Sequence, residues 1–337
     1  MQANASLSVQ TPAMNRRNFL SFAAALPALQ TLSPRVYASA NWPSRPIRIV
    51  VPVSPGGSID LLARTIAKEV SPELAQPVVV ENVAGAGGNI AFGQVARATP
   101  DGYTLLMGWD SLLINPALYP TVPYQVAQFA PITLAITSPQ VLVVGPRLKV
   151  ANLREFLAAG LRADGAVTLA NAGNGSPGHL AATLLEQQSG VKFTHVPYKG
   201  GAPAVADLVA GHVDALMVTL PSALQHIRTG RLTALGVSSA SRSSAIPDVP
   251  TLAQAGLAGY ELDSWQGLLA PGATPEDVVG TLNRVVVAAL RKPEIRQQLV
   301  EQGYEVVGSS PDTLGEQIRV LTPRWAQIVR ASGAQPD

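Results

Sequence analysis

Short apolar runs alternate with amphipathic segments in the first part of the chain that follows residue 40. Runs rich in Val, Ile and Leu are typical of buried strands, whereas apolar residues three or four positions apart are typical of helices. The predicted strands and helices, in alternating order, cover residues 47–53, 61–70, 78–81, 90–97 and 104–107. This alternation predicts βαβ units and a mostly parallel sheet, which is an α/β architecture.

A second α/β series begins after residue 139. Its strands are predicted at residues 141–144, 167–171, 193–196, 215–218 and 234–238, and its helices at 179–188 and 203–210. The C-terminal part shows helical patterns at 275–291, 293–302 and 311–331, and we expect it to pack on the first series. Because a chain of this size usually splits its core, we predict two lobes, formed by residues 41–138 with 265–337 and by residues 139–264.

The first forty residues have the pattern of an export signal. Arg16 and Arg17 precede an apolar run that is interrupted by a proline and is shorter than a membrane span. Residues 38–40 read Ala-Ser-Ala, which is typical of a cleavage site, so we expect the mature chain to begin near Asn41. The pattern predicts a cleaved twin-arginine signal over residues 1–40 and a location in the periplasm, with Met14 as an alternative start.

Charge and cysteine content narrow the class of protein further. Cleavage removes three arginines and no acidic residue, so 24 basic residues become 21 against 22 acidic residues, and the net charge becomes −1. A nucleic-acid partner is therefore not expected. The sequence has no cysteine for a disulfide or a lipid anchor, and its four histidines lack metal-ligand spacing. We expect a monomer without a cofactor, a metal or a membrane anchor.

Two glycine-containing loops each follow a predicted strand and precede a predicted helix, one in each half of the chain. The candidate binding residues are Ser54, Pro55, Gly56, Gly57, Ser58 and Asp60 in the first loop, and Ala172, Gly173, Asn174, Gly175 and His179 in the second. Free backbone N–H groups at a helix N-terminus, aided by the helix dipole, bind anions without a cationic side chain. The alternative for the first loop is a tight turn in which Ser58 or Asp60 caps the helix.

Two enzyme hypotheses for the second loop are weaker. Its glycines have the G-x-G-x-x-G spacing of a dinucleotide site, but no acidic residue lies between Glu186 and Asp207 to bind a ribose, and export disfavours a nicotinamide cofactor. A periplasmic serine hydrolase would use Ser176 and His179, yet Asn174 stands where the G-x-S-x-G motif begins with glycine. Hydrolysis would also need a third, orienting acid at the same place.

Several ordered motifs run along the mature chain. They include WPSRPIRIVVPVSPGGSIDLLAR, QPVVVENVAGAGGNIA, DGYTLLMG, NAGNGSPGHLA, HVPYKGGAPAVADLVAGHVD and IPDVPTLAQAGL. With these motifs the chain resembles, from about Trp42 to Gly333, the extracytoplasmic receptors of tripartite tricarboxylate transporters, also called the Bug family. The resemblance implies a two-lobed α/β periplasmic-binding-protein fold of the Venus-flytrap type II, and a binding protein instead of an enzyme.

The resemblance also implies a ligand class and partners. The family's ligands are mostly small carboxylates, and one ligand carboxylate is typically held by backbone groups and bridging waters from the two loops described above. The captured ligand is delivered to integral-membrane transporter subunits through transient contacts. A ligand sensor that docks on a signalling partner is an alternative, because both roles use the same closed surface.

Three further places are candidates for ligand contact. Val218 and Thr219 lie before the LPS segment, where the family often carries Asp, and Thr219 is the candidate contact there. Trp109 and Asp110 stand where the family usually has small neutral polar residues. Tyr198 and Lys199 form a turn that carries a cation able to compete with the loop backbone for an anion. The departures from the family pattern at positions 218–219 and 109–110 prevent the transfer of a ligand from any relative.

Asp110 follows a predicted strand, and in open α/β sheets the carboxyl ends of the strands face the ligand crevice. There its charge would repel a second carboxylate and attract an ammonium or hydroxyl group, which predicts a monocarboxylate or amino-acid-like ligand. The alternative is a solvated loop carboxylate or a cap for the helix that contains residues 112–115. Trp109 is either a core aromatic or a flat apolar wall against the ligand.

Overall fold

The computed structural model describes residues 42–163 and 166–336, and the predicted export signal lies outside them. The strands are β1 Ile47–Val51, β2 Val78–Asn82, β3 Thr104–Trp109, β4 Phe129–Val144, β5 Thr168–Asn171, β6 Thr194–Pro197, β7 Ala215–Thr219, β8 Thr233–Val237, β9 Asp263–Pro271 and β10 Glu305–Val306. The α-helices are α1 Ser58–Val70, α2 Asn89–Ala96, α3 Ser111–Leu118, α4 Leu153–Ala163, α5 Pro177–Ser189, α6 Gly201–Ala210, α7 Leu220–Arg228, α8 Glu276–Arg291, α9 Pro293–Glu301 and α10 Pro311–Ser332. Among the helices of these two ranges, none combines the length and the apolar character needed to cross a membrane.

The strands form two sheet regions that share β4. In the first region β2, β1 and β3 are parallel neighbours, and β9 joins β3 to β4 by antiparallel pairing. In the second region β7, β5 and β6 are parallel to one another, and β4 pairs antiparallel with β7 and β8. The 16-residue strand β4 therefore continues from one sheet region into the other, and the chain has two α/β lobes.

The chain crosses between the lobes where β4 and β9 lie side by side. Ser138 pairs with Ser264 there, and Pro139 pairs with Asp263. The Gln140 N–H next to this point donates a hydrogen bond of 2.8 Å to the hydroxyl of Ser238, which directly follows β8. The predicted lobe boundaries, at 138/139 and 264/265, are adjacent on the paired strands, and the division of the chain at these residues stays a prediction.

Helix α1 shows why such segments form helices against the sheet. Its buried residues Ile59, Leu62, Ile66 and Val70 recur at intervals of three or four and form one apolar face. The burial of each such side chain contributes about 1.5–3 kcal/mol relative to exposure. Helix α8 has the same periodicity and packs on α1 and β4, as we expect for a C-terminal part that returns to the first series.

The sheet is mixed, so the prediction of a mostly parallel sheet is wrong in part. Most predicted elements are confirmed within a few residues, but α4, α7, β9, β10 and the part of β4 before residue 141 are not predicted by the sequence pattern. Pro131 interrupts β4 at a register shift, a place where strands tolerate proline. Strand β4 leads the chain into the second lobe and β9 leads it back, so these two strands run antiparallel to each other. Strand β9 is also antiparallel to β3, and β4 is antiparallel to β7 and β8.

Candidate functional site

A cavity of about 250 Å³ lies at the carboxyl ends of β3 and β7, beside the crossing of β4 and β9. Residues from both sheet regions line it. The polar, aromatic and glycine residues of the lining are Ser58, Trp109, Asp110, Ser138, Gln140, Ser176, Gly178, Gly200, Gly201, Thr219, Ser222, Ser264, Trp265, Gln266 and Tyr304, and the remaining ones are Ile59, Ala172, Pro177, Val218 and Pro221.

Besides α3, whose N-cap residue Asp110 is in the lining, four helices begin at this cavity. Helices α1, α5, α6 and α7 start at Ser58, Pro177, Gly201 and Leu220, and cap or first-turn residues of each line the cavity. The first N–H groups of a helix have no partner inside the helix, and the helix dipole gives that end a partial positive charge. Within the described part of the chain, no Lys, Arg or His lines the cavity. An anion placed there is therefore held by neutral donors.

Asp60 holds the shape of the first predicted loop. Its carboxylate accepts hydrogen bonds from the Gly56 N–H at 2.8 Å, Arg64 Nε at 3.0 Å and Asn82 Nδ2 at 2.9 Å. Burial alone would raise the pKa of Asp60, but these hydrogen bonds and the charge of Arg64 outweigh burial and lower the pKa below its usual value. Asp60 therefore supports the loop from beneath and does not face the cavity as a ligand contact would.

Ser58 is the predicted residue of this loop that reaches the cavity lining. The predicted residues that are exposed and do not line the cavity are Ser54, Pro55, Gly56 and Gly57. Gly56 has a φ of 89°, which is in the left-handed region that side chains with a Cβ rarely adopt. The loop therefore depends on glycine at position 56 for its path, although this residue does not contact the cavity.

Side chains of the second predicted loop organise its own backbone. Asn171 Oδ1 accepts the Gly173 N–H at 3.0 Å, and His179 Nδ1 accepts the Gly175 N–H at 3.1 Å. The hydroxyl of Ser176 caps α5 by accepting the His179 N–H at 3.2 Å. The buried imidazole of His179 thus shapes the loop, with Nδ1 unprotonated in this hydrogen bond.

Ala172 of the second loop lines the cavity together with Ser176. The predicted residues of this loop that lie outside the lining are Gly173, Asn174, Gly175 and His179. Gly175 has a φ of 68°, and a Cβ added there would collide with the side chain of Leu118 at the end of α3. A larger residue at position 175 would displace the loop that carries the N-terminus of α5.

The other predicted positions in this half separate into two groups. Tyr198 lies outside the cavity and donates a hydrogen bond of 2.7 Å from its hydroxyl to Asp207, and Lys199 is exposed in the turn before α6. Thr219 lines the cavity at the N-cap position of α7, with its Oγ1 3.1 Å from Ser222 Oγ. Of these three predicted residues, the structure brings Thr219 to the cavity.

Sequence reasoning misses the residues that β4 and β9 contribute. Ser138 and Gln140 of β4 and Ser264, Trp265 and Gln266 of β9 line the cavity, and Gln140 Nε2 donates a hydrogen bond of 2.9 Å to Ser264 Oγ. A signal is present in the sequence, because polar residues interrupt otherwise apolar runs in ITSPQVLVV and LDSWQGLLA. Without the prediction of β9, these polar residues could not be placed at one site.

Buried polar atoms without a hydrogen-bond partner surround the cavity. In the part of the chain that the structure describes, they include Nε1 of Trp109 and Trp265, Oγ of Ser138, and Oε1 of Gln140 and Gln266. Buried polar atoms are almost always paired in folded proteins. A group of unpaired donors and acceptors around one cavity therefore indicates a binding place for a polar ligand or for water.

Asp110 lies at the N-terminus of α3 with its side chain 0% exposed. Neither carboxylate oxygen has a partner of good geometry among the described residues, and the side chain makes no capping hydrogen bond, so the capping alternative is not realised. Burial raises the pKa of Asp110 to about 8, and Asp263 adds to the rise, while the nearby Ser264 hydroxyl and Trp265 N–H oppose it. The structure places both Asp110 and Trp109 in the cavity lining.

Known proteins with similar sequences and structures point to one class of receptor. Residues 62–334 match the model of the tripartite tricarboxylate transporter family receptor. The protein BugT of Bordetella pertussis is 38% identical over 298 residues, which cover 88% of this chain and 91% of BugT. The solved structure of R. palustris Rpa4515 with adipate is 34% identical, with a TM-score of 0.79, and covers 88% of this chain and 100% of that chain. MatC from Rhodopseudomonas palustris with bound malate is also 34% identical, with a TM-score of 0.75, and covers 85% of this chain and 99% of that chain.

Proposed function

Because the chain belongs to the family of tripartite tricarboxylate transporter receptors, we propose that it is a periplasmic solute-binding protein that captures a small organic carboxylate and delivers it to a transporter of this kind. Its two-lobed α/β fold is that of periplasmic solute-binding proteins. The observation that carries the proposal is the meeting of four helix N-termini at one cavity whose described lining has no cationic side chain.

A ligand carboxylate suits the helix N-termini for a physical reason. Hydrogen bonds from N–H groups to an ionised acceptor are worth about 1.5–3 kcal/mol each, roughly twice those between neutral groups. Helices α1 and α5 bring such groups from different sheet regions, so a bound carboxylate stabilises the approach of the two lobes. The cavity of about 250 Å³ is close to the lower limit of small-molecule sites, about 300 Å³, which favours a small ligand.

The relatives support a carboxylate as the ligand class, because Rpa4515 was solved with adipate and MatC with malate. We propose no catalytic role for the cavity, since the Ser176 hydroxyl is used as the N-cap of α5. The Arg16–Arg17 pair and the lack of cysteine support export by the twin-arginine route and a monomer that is not anchored to the membrane and docks transiently on its transporter.

A thermal-shift screen of the purified protein against small carboxylates tests the proposed function. A ligand that binds only the folded state raises its stability by RT ln(1 + [L]/Kd), so a carboxylate at a concentration of about 100 Kd adds about 2.7 kcal/mol. The matched control for each carboxylate is its neutral amide, which has nearly the same shape and no charge. If no carboxylate raises the melting temperature more than its amide does, the carboxylate receptor is the wrong assignment.

A further inference from the structure

The two ends of the cavity have opposite hydrogen-bonding chemistry. The helix N-termini present N–H donors, whereas the end formed by β3, β4 and β9 presents mainly acceptors. Four acceptor atoms there are buried and unpaired among the described residues: Gln140 Oε1, Gln266 Oε1 and both oxygens of Asp110. The indole N–H groups of Trp109 and Trp265 supply one proton each. This end therefore combines two unpaired amide acceptors with a buried carboxyl group, and a ligand end that donates hydrogen bonds can pair with them.

The orientation of the Gln140 amide is fixed by its neighbours. Gln140 Nε2 donates a hydrogen bond of 2.9 Å to the hydroxyl oxygen of Ser264, a residue that also lies close to Asp110. This arrangement leaves Gln140 Oε1 unpaired in the cavity lining. The hydrogen bond to Ser264 thus orients the Gln140 amide so that its free oxygen and the ionisable Asp110 both line the cavity.

Asp110 has no counter-charge among the residues that the structure describes. It takes part in no ion pair of the described chain, and the charged group that acts on it is another carboxyl, Asp263, which opposes its ionisation. A buried carboxylate is costly unless it is paired and hydrogen-bonded. The missing positive charge has a natural source in a ligand that occupies the adjacent cavity.

From this geometry we infer that Asp110, together with Gln140 and Gln266, selects a ligand that carries an ammonium group opposite its carboxylate. The inference rests on the proposed function, which supplies the carboxylate end. The ligand class is then a zwitterion such as an ω-amino acid. A dicarboxylate would place its second negative charge beside a buried carboxyl group that must then stay protonated, and a plain monocarboxylate would leave the amide acceptors unpaired.

The ionisation of Asp110 gives this inference a second signature. Burial raises the pKa of Asp110 to about 8, with Asp263 adding to the rise, so the carboxyl of the empty cavity is mostly protonated at neutral pH. An ammonium group placed against it favours the ionised form. Binding of an ammonium ligand near neutral pH therefore releases a proton, and binding of a ligand without a charged second end does not.

Isothermal titration calorimetry with three ligands of equal chain length tests the selection. Hexanoate, 6-aminohexanoate and adipate share a six-carbon chain and one carboxylate and differ at the second end, and the corresponding four- and five-carbon sets cover shorter ligands. We expect the amino acid to bind about tenfold or more tightly than the dicarboxylate in at least one set. Titration of the wild type in buffers of different ionisation enthalpy should show proton release with the amino acid and none with the monocarboxylate.

Two variants complete the test. Asp110→Asn should lower the affinity for the amino acid about tenfold or more and change the affinity for the monocarboxylate by less than about threefold. Asp263→Asn is the matched control, because Asp263 is a partly buried carboxyl at the crossing that does not line the cavity, and it should preserve the wild-type order of ligands. A wild type that prefers the dicarboxylate, or an Asp110→Asn variant with the wild-type ratio of affinities, overturns the inference and leaves the carboxylate receptor standing. Failure of every ligand to bind would overturn both the inference and the proposed carboxylate receptor.

Discussion

Replacement of Gly178 by alanine tests how closely α5 lies against the end of β7. A Cβ at position 178 would lie under 3.0 Å from the carbonyl oxygen of Met217 and 3.5 Å from Gln140 Oε1. Met217 is fully buried, and its carbonyl is backbone, so it cannot rotate away as a side chain would. The N-terminus of α5 must therefore move away from β7 by several tenths of an ångström.

The expected cost follows from two opposing terms. Overpacking of a buried contact costs about 1–3 kcal/mol, and alanine in place of a helical glycine returns up to about 1 kcal/mol. We expect Gly178→Ala to lower the free energy of unfolding by about 1–2 kcal/mol. Because the first-turn N–H groups of α5 move with the helix, carboxylate affinity should also fall, by about tenfold or 1.4 kcal/mol.

Urea denaturation and calorimetric titration with the best carboxylate of the thermal-shift screen measure the two effects. The matched control is Gly280→Ala in α8, where a Cβ would meet no atom within 4 Å. This control should gain about 0.5–1 kcal/mol of stability from helix propensity and keep wild-type affinity. If Gly178→Ala is as stable as Gly280→Ala and binds like the wild type, the close approach of α5 to β7 does not control the site.

Three further predictions concern other parts of the chain. Gly175→Val should reduce carboxylate affinity by about 2 kcal/mol or more through backbone strain and the clash with the end of α3. Lys199→Ala should leave the carboxylate affinity unchanged in the same calorimetric titration. The reverse result would show that Lys199, and not the loop backbone, binds the carboxylate. The pKa of Asp110 is about 8 in the folded chain against 3.8 for an unperturbed carboxyl, so the folded state holds a proton that the unfolded state has lost, and stability falls as pH rises from about 4 to about 8. Asp110→Asn should flatten this slope in denaturation midpoints measured between pH 5 and pH 8, with a gain at pH 7 of at most about 4 kcal/mol, and a slope that does not change would contradict the buried ionisation. Replacement of both Arg16 and Arg17 by Lys should keep the protein in the cytoplasm, as fractionation with immunoblotting would show, and normal accumulation in the periplasm would exclude the twin-arginine route.

The parts of the fold that the sequence predicts are those with long-range periodicity. Helix α8 is confirmed within a residue of its predicted start because its apolar face recurs over four turns. Strand β9 is a different case, since eight of its nine residues are buried and the strand shows no alternation of polar and apolar positions. A short run that is buried on both faces cannot be told from a helix segment by its pattern alone.

The candidate site divides in a similar way. The two loops could be found in the sequence because glycine, proline and serine mark the passage from strand to helix. The direction in which each side chain points could not be predicted from the sequence, because it depends on residues far along the chain. Asp60 turns toward the loop backbone because Asn82, 22 positions away, and Arg64 hold its carboxylate there. For Asp110, the rule that strand ends face the crevice places the residue correctly in the lining, and its burial comes from β9, which the pattern does not show.

Strand β4 gives the protein a constraint on how its length can change. Ile132 and Ile136 face the apolar cluster under α1 and α8, and further along the same strand Val141 and Val143 face the cluster under α6 and α7. Neighbouring residues of a strand point to opposite faces, so one residue inserted between positions 136 and 141 would exchange the faces of every later residue in β4. Substitutions near the crossing are therefore tolerated more readily in evolution than single insertions or deletions. A substitution keeps the alternation of faces along β4, and this alternation directs apolar side chains into the cores of both lobes.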